Sequence, residues 1–122
     1  MATAEAVVVD VLDRWKAAIE ARQPDEAAAL FADDAIFQGL RPYGVGRQGI
    51  ADYYAGQPVG LSPNYRVLET RQPAPGVVFG YVAVDFTFTD RASIPALLGV
   101  LITDVDDRWL IAHYQVSPAP TG

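Results

Sequence analysis

The sequence predicts an α+β domain, helices first and an antiparallel sheet afterwards. Three observations carry this. In the first half of the chain apolar residues recur at three- and four-residue spacing. From about residue 64 onward they fall in strand-like runs separated by Pro, Gly and Asp. The chain has 122 residues, 51% of them hydrophobic, which is one domain's worth and enough for a core without a disulfide or metal staple. A single domain is expected over 1–117, with a frayed Pro-rich tail over 118–122.

The first helix is expected over 4–22. Val8, Val11, Leu12, Trp15, Ala18 and Ile19 make one stripe, Thr3 suits the N-cap, Glu5 the first turn and Arg22 the last. Pro24 opens a second, shorter helix with Asp25 and Glu26 in its first turn and Ala28, Leu30 and Phe31 on its apolar side. Asp33-Asp34 is expected to stop it. Neighbouring carboxylates at a helix end point apart, so termination outweighs paired acid–base chemistry there. A short strand is expected over 35–39 and a loop over 41–46. A third helix over 47–55 places Ile50, Tyr53 and Tyr54 on one face, with Gly56 and Pro58 ending it. Arg47 reads as a first-turn surface residue able to close on an anionic ligand. Strands are expected over 64–72, 77–89, 96–105 and 108–116, the last two joined by a tight turn at Asp106-Asp107.

Period-2 alternation assigns the strand faces. Val82, Val84, Phe86 and Phe88 share one face, expected toward the helices, while Tyr81, Ala83, Asp85 and Thr87 share the other. In 96–105 both sets are apolar: Leu97, Gly99, Leu101 and Thr103 are assigned inward, Leu98, Val100 and Ile102 outward. In 108–116 Leu110, Ala112, Tyr114 and Val116 are assigned inward, Trp109, Ile111, His113 and Gln115 outward. Three short helices cover only one face of such a sheet. The other, carrying Val100, Ile102, Trp109 and Ile111, is expected to be a partner surface, and a two-fold homodimer is the commonest way to cover it.

Composition removes several function classes. Nine Lys and Arg against 15 Asp and Glu give a net charge of −6, which offers neither nucleic acid nor an anionic membrane a basic surface. Without cysteine there is no thiol chemistry and no zinc–thiolate site, and one histidine, His113, excludes a multi-histidine metal centre. Neither metal nor cofactor is expected. The N-terminus lacks the basic start of a signal peptide, and no run approaches the roughly 18 apolar residues of a membrane span. A cytoplasmic protein is expected.

Three segments together resemble a known superfamily: Trp15-Lys-Ala-Ala-Ile19, Ala29-Leu-Phe-Ala-Asp-Asp-Ala35, and Gly46-Arg-Gln-Gly-Ile50 followed by Tyr53-Tyr54. They look like the first half of the nuclear-transport-factor-2-like superfamily, with its SnoaL-like and ketosteroid-isomerase-like branches most similar. The ending Arg108-Trp-Leu-Ile-Ala-His-Tyr-Gln-Val-Ser117 resembles the last strand of the SgcJ/EcaC-type branch and of the calmodulin-dependent kinase association domain. The resemblance implies a cystatin-like cone: three N-terminal helices packed on a curved, mostly antiparallel sheet, enclosing an apolar pocket, with a homodimer on the outer face.

Carried over residue by residue, the resemblance argues against steroid-isomerase chemistry. The position of the carboxylate base falls at Gly39, that of the first-helix tyrosine at Trp15, and that of the protonated aspartate at Gly99. Tyr54 of the third-helix pair is expected inside the pocket. The same alignment implies a wall of Trp15, Ile19, Phe37, Tyr54, Val82, Val84, Phe86, Leu101, Thr103 and Tyr114, with Tyr43 capping the mouth or simply exposed in its loop. Such a wall suits a small hydrophobic molecule, neutral and bearing one oxygen for the two phenols, and a Tyr54→Phe change is expected to leave the fold stable. The resemblance to the SnoaL-like group implies an isomerase, dehydratase or cyclase acting on a hydrophobic, natural-product-type metabolite. The alternatives are a non-catalytic ligand-binding module and a protein-assembly module. Candidates for proton transfer are Tyr54, Tyr114, His113 and Asp85. His113 and Asp85 share the outward face, where an interface role outweighs catalysis.

Overall fold

A computed structural model describes residues 3–40 and 43–120. The first two residues, the expected loop start at 41–42 and the tail end at 121–122 lie outside this range. Three helices, α1 (Ala4–Glu20), α2 (Pro24–Ala28) and α3 (Arg47–Ala55), pack on one six-stranded sheet. Its strands are β1 (Phe31–Gln38), β2 (Tyr43–Val45), β3 (Ser62–Ala74), β4 (Val77–Thr87), β5 (Ile94–Val105) and β6 (Arg108–Pro118), in the order β2-β1-β6-β5-β4-β3. Every pairing is antiparallel except β1 with β6. This is the expected α+β architecture, a curved open sheet with helices on one side.

The Thr3 side chain accepts the Ala6 N–H and caps α1, whose buried stripe is the expected one plus Val7. The helix stops at Glu20, and Arg22 leaves it with φ 56° instead of completing the last turn. Asp106 and Asp107 both take positive φ, 52° and 66°, as a two-residue turn between β5 and β6 requires. The tail is less free than expected: β6 runs to Pro118, and the Ala119 N–H donates to the Pro95 carbonyl.

Asp33 and Asp34 do not end a helix. They lie inside β1, in a stretch where its register with β6 shifts, and both are exposed. Leu30 and Phe31 likewise follow α2 instead of forming its face. Arg47 stitches this irregular stretch to α3: its Nε donates to the Phe31 carbonyl at 2.8 Å and its guanidinium pairs with Asp33. The expected loop at 43–45 is a short strand paired to β1.

The face assignment for β5 is inverted. Val82 pairs with Leu98 and Gly80 with Val100, so Leu98, Val100 and Ile102 share the buried face of β4, and all three are 0% exposed. Both alternating sets of β5 are apolar, so periodicity could not choose between them. In β6 a bulge adds a second inversion. Leu101 pairs with His113 but Ile102 with Ile111, leaving Ala112 as an extra residue. Ile111 and Tyr114 therefore both point inward, and Trp109 packs against the core as well. The expected interface of Val100, Ile102, Trp109 and Ile111 thus belongs to the core, not to a free surface.

Candidate functional site: a cleft at the open end of the cone

Deep in the cone the aromatic side chains fill the space themselves. Trp15 is 0% exposed, Phe37 stacks on Tyr114 with centroids 4.5 Å apart, and Phe31 and Tyr54 meet the same cluster edge-on or tilted. Beside Ile19 only a crevice of about 20 Å³ remains, room for little more than one water. The larger space lies above this plug, a half-open cleft of about 380 Å³. Its floor and inner wall are Tyr53, Tyr54 and Tyr114. Phe86, Phe88 and Val116 line the sheet side, and Leu40, Gln57, Pro58, Leu61, Arg91 and Ile94 form the rim.

The residues expected to make one pocket are therefore divided. Tyr54, Phe86 and Tyr114 line the cleft. Trp15, Ile19, Phe37, Val82 and Val84 are buried packing beneath it. Leu101 and Thr103 lie on the opposite side of the sheet, because of the β5 inversion. Tyr43 is 70% exposed on β2 and does not line the cleft. Phe88 and Val116 were on the inward alternation and so were legible as wall. The rim residues sit in connectors or at strand ends, where no periodicity marks them.

The polar groups at the floor form a short relay. Trp15 Nε1–H donates to the Tyr54 hydroxyl oxygen at 2.9 Å. The Tyr114 hydroxyl interacts with that of Tyr54 at the same floor. Burial is the largest influence on both phenols and pushes both above the usual tyrosine range, so each stays protonated at neutral pH. Accepting from Trp15, Tyr54 retains its own O–H to donate.

Among the described residues no carboxylate lines the cleft. At Gly39 a β-carbon would lie 3.2 Å from the Tyr53 ring and hydroxyl, so Tyr53 already occupies the space next to the expected base position. Gly99 faces outward. Its inward neighbours Leu98 and Val100 are apolar, and the position that the resemblance implied for the protonated aspartate does not face the cleft. His113 and Asp85 are also on the outer side, on β6 and β4. Among the described residues no three His, Asp or Glu side chains gather as metal ligands, and no helix is long and apolar enough to cross a membrane.

The sequence matches no family model and no curated protein. Solved structures match over nearly the whole chain. A domain of unknown function with a cystatin-like fold from Nostoc punctiforme superposes with TM-score 0.86, at 18% identity over 99% of this chain and 81% of that one. A ketosteroid isomerase-like protein from Erwinia carotovora atroseptica gives 0.81, at 22% identity over 95% and 96%. This chain has the cystatin-like, nuclear-transport-factor-2-like fold. A nuclear-transport-factor-2-like protein of unknown function from Shewanella oneidensis adds a TM-score of 0.78, at 14% identity over 91% and 96%. At such identities the likeness is one of fold.

Proposed function

We propose that this protein binds a small, mainly apolar molecule in the cleft and presents the Tyr54 O–H to an oxygen of that molecule. The observation that carries this is the Trp15 N–H donating to the Tyr54 oxygen, which leaves the Tyr54 O–H free to donate from a largely apolar wall. A cleft of about 380 Å³ is within the range of small-molecule sites. Phenols held protonated can stabilise a carbonyl or enolate oxygen but cannot act as bases. Binding is therefore the primary reading. Any isomerase, dehydratase or cyclase step would have to run on donation from Tyr54. The motifs quoted above favour the SnoaL-like group, and we propose a cytoplasmic setting.

Native mass spectrometry after mild extraction tests this. A bound organic mass is expected in the wild type, with loss of that mass in an Ile94→Trp variant that narrows the mouth. A protein that carries nothing and binds no apolar carbonyl compound would end the proposal.

The second part of the reading is a homodimer on the outer sheet face, with residues different from those first expected. The register aligns Val45, Ile36, His113, Leu101 and Phe79 in one row across five strands, with Tyr81 and Leu97 beside it. Ile36 is 47% and Val45 58% exposed. The β3 edge of this face carries Arg66, Glu69 and Arg71, both charge signs on one strand, which a self-complementary contact can use.

A further inference from the structure

Arg91 is the only formally charged side chain among the described residues lining the cleft, in a chain of net charge −6. It stands at the rim, in the connector between β4 and β5. Its guanidinium carbon lies 5.5 Å from the centroid of the Phe88 ring, itself part of the cleft wall. Asp90 holds one edge of the guanidinium, with Nε and Nη2 at 3.0 and 3.2 Å from its two carboxylate oxygens. Asp90 is not part of the cleft lining. The fork has a second edge, Nη1 with the remaining N–H of Nη2, that Asp90 does not use. The ring and the aspartate together fix a guanidinium that still has two parallel donors, at the mouth of an apolar slot.

We propose that the ligand of this cleft is an amphipathic monocarboxylate. This rests on the binding role proposed above and adds the charge of the ligand. Its apolar body lies against Phe86, Phe88 and Ile94, and its carboxylate takes the free edge of Arg91. A single free edge matches one planar carboxylate bidentately. A cationic ligand would meet Arg91 as a like charge. A neutral one would cover the guanidinium without replacing the water it displaces.

The test uses naphthylacetate and its uncharged counterpart naphthylacetamide as probes, titrated by isothermal calorimetry against the full chain. The wild type is expected to bind the carboxylate roughly three- to tenfold more tightly than the amide, with the difference shrinking at high salt. Arg91→Gln should bring the ratio to about one while leaving amide affinity in place. Asp90→Asn should raise the carboxylate preference, since a competing anion is removed. Equal affinities in the wild type, or a preference that survives Arg91→Gln, would overturn the monocarboxylate assignment and leave the binding role standing. If neither probe binds, the assignment falls together with the binding role.

Discussion

Trp15 on the first helix and Tyr54 on the third are joined by one buried hydrogen bond, indole N–H to phenol oxygen, at 2.9 Å. Tyr54 thus has a structural duty as well as a candidate functional one. Trp15 is 0% exposed, and the Tyr54 oxygen is the acceptor of its N–H. Tyr54→Phe keeps the ring but orphans that donor. A stability loss of about 1–3 kcal/mol in urea unfolding is expected, against the sequence expectation of an unperturbed fold. An unchanged midpoint would mean that the indole finds another acceptor.

Alkaline pH should act on the same cluster. The folded-state pKa values of Tyr54 and Tyr114 are raised above those of the unfolded chain, mainly by burial. Their contribution to stability is fully present below about pH 10, the unfolded tyrosine value, and is lost as pH rises toward the folded values. Thermal melts between neutral pH and pH about 11 should show a fall in Tm confined to the alkaline end, shallower in Tyr114→Phe than in the wild type. A loss beginning near neutrality would point to other groups.

Two substitutions separate core from outer face. Leu101→Asp places a charge on the exposed side of β5, and a folded monomer is expected by sedimentation. Ile111→Asp places it where the side chain is 0% exposed, and an unfolded or insoluble protein is expected. A wild type that sediments as a monomer at micromolar concentration would remove the dimer.

Gly80 marks the closest approach of sheet and first helix. A β-carbon there would stand 2.8 and 2.9 Å from the two methyls of Val8. Gly80→Ala should cost about 1–3 kcal/mol through overpacking. Adding Val8→Ala should recover part of it, a non-additivity that a double-mutant cycle measures.

Steroid-isomerase turnover is expected to be absent. Neither Gly39 nor the inward-facing Leu98 and Val100 supplies a carboxylate, and general acid–base catalysis alone is typically worth about a hundred- to ten-thousandfold in rate. Turnover of a 5-ene-3-ketosteroid well above background would contradict this.

The helices, the turn at Asp106-Asp107 and the inward side of β4 were legible because each is written locally, in a cap, a turn residue or an alternation with one polar side. The faces of β5 were not. Leu97 and Leu101 are as apolar as Leu98, Val100 and Ile102, so only the pairing partner across the ladder decides which set is buried. Nor does anything in the sequence mark Ala112 as an extra residue, yet it sets the orientation of both Ile111 and Tyr114. Of the floor tyrosines, Tyr54 and Tyr114 were expected in the pocket from the resemblance, whereas Tyr53 was not. Arg91 was missed because it lies in a connector, where position depends on what the flanking strands do.

The lone parallel pairing has a kinetic consequence. Strands β3 to β6 are sequential neighbours joined by short turns, so each ladder closes locally. β1 must instead find β6, bringing Phe31 beside Ile111 across most of the chain, and that contact bears the largest loop-closure entropy in the sheet. Assembly should begin in the meander and finish when β1, with β2 and α3 attached, docks along β6. The same seam should then be the first to open. In native-state hydrogen exchange, the amides of Phe37 and Gln38 should exchange through a smaller opening than those of Leu98 to Ile102, and the floor of the cleft would loosen with them, since Phe37 is stacked on Tyr114.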